Sequence, residues 1–189
     1  MSAGRELILG GQKSGKSRRG EALAADWLAQ SPAHRAVLIA TGQAHDEEMR
    51  ARIARHRADR LARAPRLETV EEPIDVAGAL RALDSPQTLV VVDCLTLWLT
   101  NVLMPPMQAH ATSFDASAQT DALLAALADA RGPVVLIGNE IGLGVIPLGR
   151  EVRAFVDVLG LLNQRVAAAC ERVTLMVAGL PLALKGAPR

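Results

Sequence analysis

Eight residues near the start of the chain have the types and spacing needed to bind phosphate. The segment Gly10-Gly11-Gln12-Lys13-Ser14-Gly15-Lys16-Ser17 satisfies the phosphate-binding-loop pattern Gly-x4-Gly-Lys-Ser. Glycines let backbone N–H groups turn toward phosphate oxygens, and the helix that follows adds partial positive charge. In such a loop Lys16 reaches the β- and γ-phosphates and the Ser17 hydroxyl binds Mg²⁺. The pattern predicts a nucleoside triphosphate site; the alternative is a glycine-rich turn that matches by chance.

Asp93 is the candidate metal carboxylate. It directly follows the apolar run 89–92, so it is expected at the end of a buried strand beside the loop. A carboxylate there holds the nucleotide's Mg²⁺ in many enzymes with this loop. The alternative is an N-cap for a helix beginning at Cys94, and both roles can hold together.

The elements that must position these residues can be read from the apolar pattern. Continuous apolar runs predict buried strands at 7–9, 36–40, 89–92, 134–137 and 173–177. Helices are expected between them at 17–29, 46–64, 74–83, 120–130 and 150–169. Segment 104–117 is expected to be a mobile surface loop, and the tail after Lys185 to fray. The alternation predicts one three-layer α/β domain over residues 1–189, with a mostly parallel central sheet.

Composition excludes several classes of partner. A formal net charge of +1 and only 2% aromatic residues argue against nucleic-acid binding. No apolar run approaches the roughly 18 residues of a membrane span. Two cysteines do not make a disulfide framework, and the N-terminus does not read as a secretion signal, so a cytoplasmic protein is expected.

Further motifs narrow the choice among proteins with this loop. In order along the chain they are Ala40-Thr41-Gly42-Gln43, Asp46-Glu47-Glu48-Met49, His56-Arg57-Ala58-Asp59-Arg60, Thr69-Val70-Glu71-Glu72-Pro73, Asp93-Cys94-Leu95-Thr96-Leu97-Trp98, Asn139-Glu140-Ile141-Gly142 and Gly160-Leu161-Leu162-Asn163-Gln164-Arg165. Each is unremarkable alone. Together, from about Leu7 to Lys185, the chain resembles the bifunctional adenosylcobinamide kinase / adenosylcobinamide-phosphate guanylyltransferase family.

The resemblance implies a RecA-like fold and two reactions. The enzyme would phosphorylate the aminopropanol hydroxyl of adenosylcobinamide with ATP or GTP. It would then transfer GMP from GTP onto that phosphate, through a GMP-histidine intermediate, to give adenosylcobinamide-GDP. Family members form homo-oligomers, typically trimers. By position in the matching motifs, the histidine is His56, and the further nucleotide-contacting residues are Ala40, Thr41, Gly42, Arg57, Ala58, Asp59, Arg60 and Glu71.

The chemistry of helix 46–64 is compatible with a histidine nucleophile. Acidic residues open the helix and arginines close it, which suits the helix dipole. Arg52 and Arg60 lie one turn from His56, disfavour the imidazolium and could hold the triphosphate. A neutral ring nitrogen is what attack on phosphorus requires, and Asp59 is placed to orient the ring. The alternative is a half-buried histidine on a solvated basic face.

Other assignments stay open. Glu71 could read the base, bind ribose or be a surface charge. The loop at Asn139, Glu140 and Gly142 could serve the corrinoid or phosphate site, or be a plain strand-to-helix connection. His45 could touch nucleotide; His34, His110, Asn163 and Gln164 receive no catalytic role. The rival functions are a small-molecule kinase without guanylyl transfer and a RecA-like ATPase acting on nucleic acid.

Overall fold

The computed structural model describes residues 4–44, 46–104 and 115–187. Its strands are β1 Arg5–Gly10, β2 Arg35–Ala40, β3 Glu68–Glu71, β4 Thr88–Asp93, β5 Val134–Ile137, β6 Arg172–Val177 and β7 Leu180–Lys185. Its helices are α1 Lys16–Gln30, α2 Glu47–Arg63, α3 Val76–Leu83, α4 Leu95–Leu103, α5 Ala116–Asp129 and α6 Arg150–Ala169.

The strands form one sheet in the order β3-β2-β4-β5-β1-β6-β7. All neighbours pair in parallel except β6 and β7, which form an antiparallel hairpin. The carboxyl ends of β1, β2 and β4 therefore meet at one edge of the sheet. Ligands bind at that edge in open α/β sheets.

Helices cover both faces of this sheet, so the continuous apolar runs of its central strands are buried on both sides. Successive residues of β1 point to opposite sides: Leu7 and Leu9 pack in a core with α3, α4, α5 and α6, and Ile8 packs in a second core with α1. The predicted three-layer α/β fold with a mostly parallel sheet is confirmed.

The element predictions succeeded where apolar runs were long. All five predicted strands are present. Strand β3, whose last residue is Glu71, lies outside the five predicted apolar runs. The apolar pattern does not predict β7. It also does not predict α4, although the alternative role considered for Asp93, an N-cap, implies a helix beginning at Cys94. The last two residues of the predicted loop 104–117 are helical, because α5 begins at Ala116. Residues 105–114, which include His110, lie outside the described residues, and so does His45.

Across the described ranges, none of the helices combines the length and the apolar character that crossing a membrane requires.

Candidate functional site

The predicted phosphate loop lies between β1 and α1, as its sequence requires. Gly10 ends β1 with φ 153°, and a Cβ there would lie 2.6 Å from the Met176 carbonyl oxygen, so only glycine fits. Gly15 caps α1 in the left-handed region with φ 102°. The loop thus presents the N-terminus of a 15-residue helix, which suits an anion.

Lys16 is sheltered inside this loop. Its side chain is 8% exposed, and its Nζ donates to the Gly11 carbonyl oxygen at 2.6 Å and approaches Ser14 Oγ at 3.5 Å. Burial lowers the pKa of Lys16; the nearby Cys94 and Asp93 raise it, and Arg52 lowers it. A buried ammonium held mainly by a carbonyl oxygen is ready to exchange that partner for a phosphate.

Asp93 stands at the carboxyl end of β4, in register with Ala40 on β2 and Ile137 on β5. Thr41, just beyond β2, is fully buried: its hydroxyl donates to the Cys94 carbonyl oxygen and accepts from the Cys94 N–H, both at 2.8 Å. Thr41 therefore ties β2 to the chain after Asp93, and its side chain is kept from the cleft.

A magnesium ion fits the groups present. Ser17 and Asp93 line the same cleft and offer a hydroxyl and a carboxylate, the hard oxygen donors that Mg²⁺ prefers. Within the described residues there is no group of three or more histidine, cysteine or acidic side chains able to hold a metal. Mg²⁺ usually binds through few protein groups plus substrate phosphates and water, so two donors suffice.

Helix α2 forms the opposite wall of the cleft. Asp46 caps it by accepting the Met49 N–H at 2.7 Å, as the acidic start predicted. None of the residues of this fully described helix is buried. Arg57 pairs with Glu71 of β3, and Asp59 lies 3.3 Å from Arg63. The Asp59 carboxylate, predicted to orient His56, thus has an arginine partner one turn further on.

His56 faces this cleft from α2. Loss of surrounding water lowers its pKa, although the side chain retains exposed surface. Asp93 and Asp59 raise that pKa, and Arg52 and Arg55 lower it. The net shift keeps the ring neutral at a lower pH than an ordinary histidine, which favours nucleophilic attack.

The cleft brings most predicted site residues together in about 1250 Å³. Binding sites for drug-sized ligands occupy about 300–1,000 Å³, so this cleft has room for a nucleotide and part of a second substrate. Predicted residues lining it are Gln12, Lys13, Ser14, Gly15, Lys16, Ser17, Ala40, Gly42, His56, Arg57, Asp59, Arg60, Glu71 and Asp93. The predicted residues that do not line it are Gly10, Gly11, Thr41 and Ala58. The Gly11 carbonyl oxygen nevertheless accepts a hydrogen bond from Lys16 Nζ.

Sequence reasoning missed several groups here. Glu21 of α1 lines the cleft at 4% exposure, and Gln43 has a buried side-chain oxygen with no hydrogen-bond partner among the described residues. Asn163 does not line the cleft, but it is buried, and its Nδ2 donates to the carbonyl oxygen of the cleft residue Asn139 at 3.1 Å. Helical spacing alone gave no signal for Glu21, because the opposing charge lies far along the chain.

The loop after β5 is fastened to the phosphate loop. The Glu140 N–H donates to the Gly10 carbonyl oxygen at 3.1 Å, and the Asn139 N–H to Thr96 Oγ at 2.9 Å. Asn139 lines the cleft. Of the two roles left open for this segment, a site role is therefore compatible with its position.

Comparison with known proteins matches this chain to proteins of one kind along nearly its full length. It is 48% identical to the bifunctional adenosylcobalamin biosynthesis protein CobP of Pseudomonas aeruginosa over 187 residues, covering 97% of this chain and 99% of that protein. It is 35% identical to the bifunctional adenosylcobalamin biosynthesis protein CobU of Escherichia coli, covering 95% and 98%. The CobU of Salmonella typhimurium is 34% identical, with the same coverage.

Among solved structures, the fold resembles that of the flagellar accessory protein FlaH from Methanocaldococcus jannaschii. The TM-score is 0.54 at 12% identity, covering 98% of this chain and 79% of that one, so the likeness concerns the fold alone. A family model described as cobinamide kinase / cobinamide phosphate guanyltransferase matches residues 6–184. On the strength of that match and of the relatives' identity, the chain belongs to the cobinamide kinase / cobinamide phosphate guanyltransferase family.

Proposed function

We propose that this protein phosphorylates the hydroxyl of adenosylcobinamide with ATP or GTP, and then transfers GMP from GTP to the new phosphate through a GMP adduct on His56. Family membership supports the pair of reactions. The observation that carries the assignment of residues is that His56 of α2 and the phosphate loop face one another across a single cleft.

In the kinase step, the acceptor hydroxyl oxygen attacks the γ-phosphorus and the bond to the β-phosphate oxygen breaks. The loop N–H groups, the α1 N-terminus and Lys16 neutralise the charge that gathers on the phosphate oxygens. Ser17 and Asp93 would hold the nucleotide's Mg²⁺, which supplies further positive charge when bound.

In the guanylyl step, a neutral ring nitrogen of His56 attacks the α-phosphorus of GTP and pyrophosphate leaves. A phosphate oxygen of adenosylcobinamide phosphate then attacks the same phosphorus, and the P–N bond breaks to restore histidine. Arg57 and Arg60 line the cleft, where they can bind the triphosphate oxygens. The nitrogen must come within about 3–3.5 Å of the phosphorus, so the nucleotide or α2 must shift between the two steps.

Glu71 has two uses under this proposal. Its carboxylate is paired with Arg57 of α2 at the exposed rim of the cleft. A nucleotide base or ribose hydroxyl would approach the same carboxylate. The cytoplasmic location and the homo-oligomer, trimeric by family resemblance, remain predictions.

The test uses GTP labelled at its α-phosphate. Wild-type protein should become covalently labelled, and the label should survive denaturation but be lost in acid. His56→Ala should not label, whereas the control His34→Ala should, because His34 stacks on Trp27 outside the cleft. Equal labelling of His56→Ala would refute the nucleophile. Absence of label on the wild type, with kinase activity retained, would favour a kinase without guanylyl transfer.

A further inference from the structure

Helix α2 carries the proposed nucleophile but lacks the usual means of holding a helix in place. Helical position in proteins normally comes from burying an apolar face, and none of the residues of α2 is buried. Six of its 17 residues are arginine and three are acidic, so it offers little apolar surface for packing. Its orientation must depend largely on polar contacts at specific points.

Two ion pairs join α2 to the rest of the molecule within the described residues. Arg57 and Glu71 are both well exposed, at 55% and 63%, and a pair of that kind contributes little. Arg63 Nη1 lies 2.7 Å from Glu21 Oε2, and the Glu21 side chain is 4% exposed. Losing one partner of a pair with a buried member leaves an uncompensated charge, so the second pair is the stronger constraint.

The Glu21–Arg63 pair directly links α1, which begins at the phosphate loop, to α2, which carries His56. Glu21 lies one turn beyond Ser17 on α1, the helix that bears the phosphate ligands. Arg63 lies seven residues beyond His56, which places both on nearly the same face of α2, about 10 Å apart. The contact therefore ties the helix of the nucleophile to the helix that holds the triphosphate.

We propose that the Glu21–Arg63 ion pair positions α2, and with it His56, for guanylyl transfer. Glu21 is thus a positioning residue, and this role rests on the function proposed above. Releasing the pair leaves the phosphate loop intact but lets His56 move relative to the α-phosphorus. Because phosphoryl transfer uses the loop and not His56, the two activities should separate.

The experiment compares Glu21→Gln and Arg63→Met with wild type in three measurements: covalent labelling rate from α-labelled GTP, kinase turnover and GTP affinity. A misplacement of about 1 Å can cost about 10²-fold in rate, so labelling should fall on that order in both variants. Kinase turnover and GTP affinity should fall far less than the labelling rate, because neither side chain is among the groups proposed to contact the phosphates or Mg²⁺. Arg63→Lys keeps the charge and should recover part of the labelling rate.

Controls separate this role from general support of the fold. Glu68→Gln breaks the exposed Arg35–Glu68 pair at the start of β3, and should label like wild type. The double variant Glu21→Gln/Arg63→Met should label no more slowly than either single variant, since both remove the same contact. Thermal unfolding of each variant confirms that it is folded. Glu21→Gln leaves only the 39% exposed Arg63 charge without this partner, so Glu21→Gln carries the test should Arg63→Met unfold.

The outcomes distinguish the two proposals. If the wild type labels and both variants label at its rate, the positioning role is overturned while the proposed function stands. An equal loss of labelling and kinase activity in folded variants also overturns it, because the pair would then support the nucleotide site as a whole. If the wild type itself does not label, the guanylyl function fails first.

Discussion

Replacing Lys16 by methionine should separate nucleotide binding from stability. The ammonium is 8% exposed, and its pKa is lowered mainly by burial, so the folded protein disfavours the charged form. Methionine has similar length and no charge. The unliganded variant should therefore unfold at the same temperature as wild type or higher, despite losing the bond to Gly11.

The loss of binding can be worked from the contact that Lys16 would make with phosphate. A hydrogen bond to a charged group contributes about 1.5–3 kcal/mol, and about 1.4 kcal/mol is tenfold in Kd. The Kd for GTP should rise about 10- to 150-fold. With GTP at about 100 times the wild-type Kd, ligand stabilises wild type by about 2.7 kcal/mol. A variant that binds 100-fold more weakly would gain about 0.4 kcal/mol.

Thermal unfolding with and without GTP and Mg²⁺ measures this difference. For a chain of this size 1 kcal/mol shifts Tm by about 2–4 °C, so the GTP-induced shift should shrink by about 5–9 °C. Lys185→Met is the matched control, because Lys185 contacts the carbonyl oxygens of Ala167 and Ala168 at the end of α6. An unchanged GTP-induced shift in Lys16→Met would contradict the phosphate-loop assignment. A large drop in the Tm of the unliganded Lys16→Met variant would contradict the account of Lys16 as a buried charge that serves binding and not stability.

Three further predictions follow from the same contacts. Guanylyl labelling should fall as pH drops through the lowered pKa of His56, because the protonated ring cannot attack. Arg52→Gln removes a charge that lowers the pKa of His56, so the fall in labelling should occur at higher pH in this variant. A fall at lower pH than in wild type would refute the electrostatic account. Asn163→Ala should lower the free energy of unfolding by about 0.5–1.5 kcal/mol in denaturant titration, since it removes the hydrogen bond from this buried side chain to the partly buried Asn139 carbonyl oxygen, whereas the exposed neighbour Gln164→Ala should change little. Glu6→Ala should cost about 3–5 kcal/mol in the same assay, because this 1% exposed carboxylate pairs with two arginines, and a cost below 1 kcal/mol would show that the cluster is dispensable.

The parts of the fold that were predicted from sequence depend on chemistry local in the chain. The phosphate loop is a contiguous pattern, and the interior of a strand such as β4 is a continuous apolar run because both faces are buried. Strand β7 was missed, although Leu180, Leu182 and Leu184 alternate along it, because Pro181 argues against a strand interior. All six of its residues are also exposed. Its antiparallel pairing at the edge of the sheet makes both features acceptable.

The candidate site was predictable only where one segment supplies its chemistry. Glu21 and Arg63 are 42 residues apart, and the sequence of neither helix indicates that the two side chains form an ion pair. Asn163 and Gln164 were treated alike as polar helical residues, yet only Asn163 faces the core, because the predicted helix did not fix which side packs on the sheet. Thr41 shows the converse: a motif position suggested nucleotide contact, whereas its hydroxyl is used within the fold.

The place of β1 in the sheet governs when the nucleotide site can exist during synthesis. Both pairing partners of β1, the strands β5 and β6, come later in the chain, so its pairing is not complete until Val177 has been added. At about 5–20 residues per second, translation from the end of β1 to that point takes about 8 to 33 s. Throughout that interval the sheet that supports the phosphate loop is incomplete. GTP therefore has no assembled site to bind and cannot stabilise the folded state of the nascent chain.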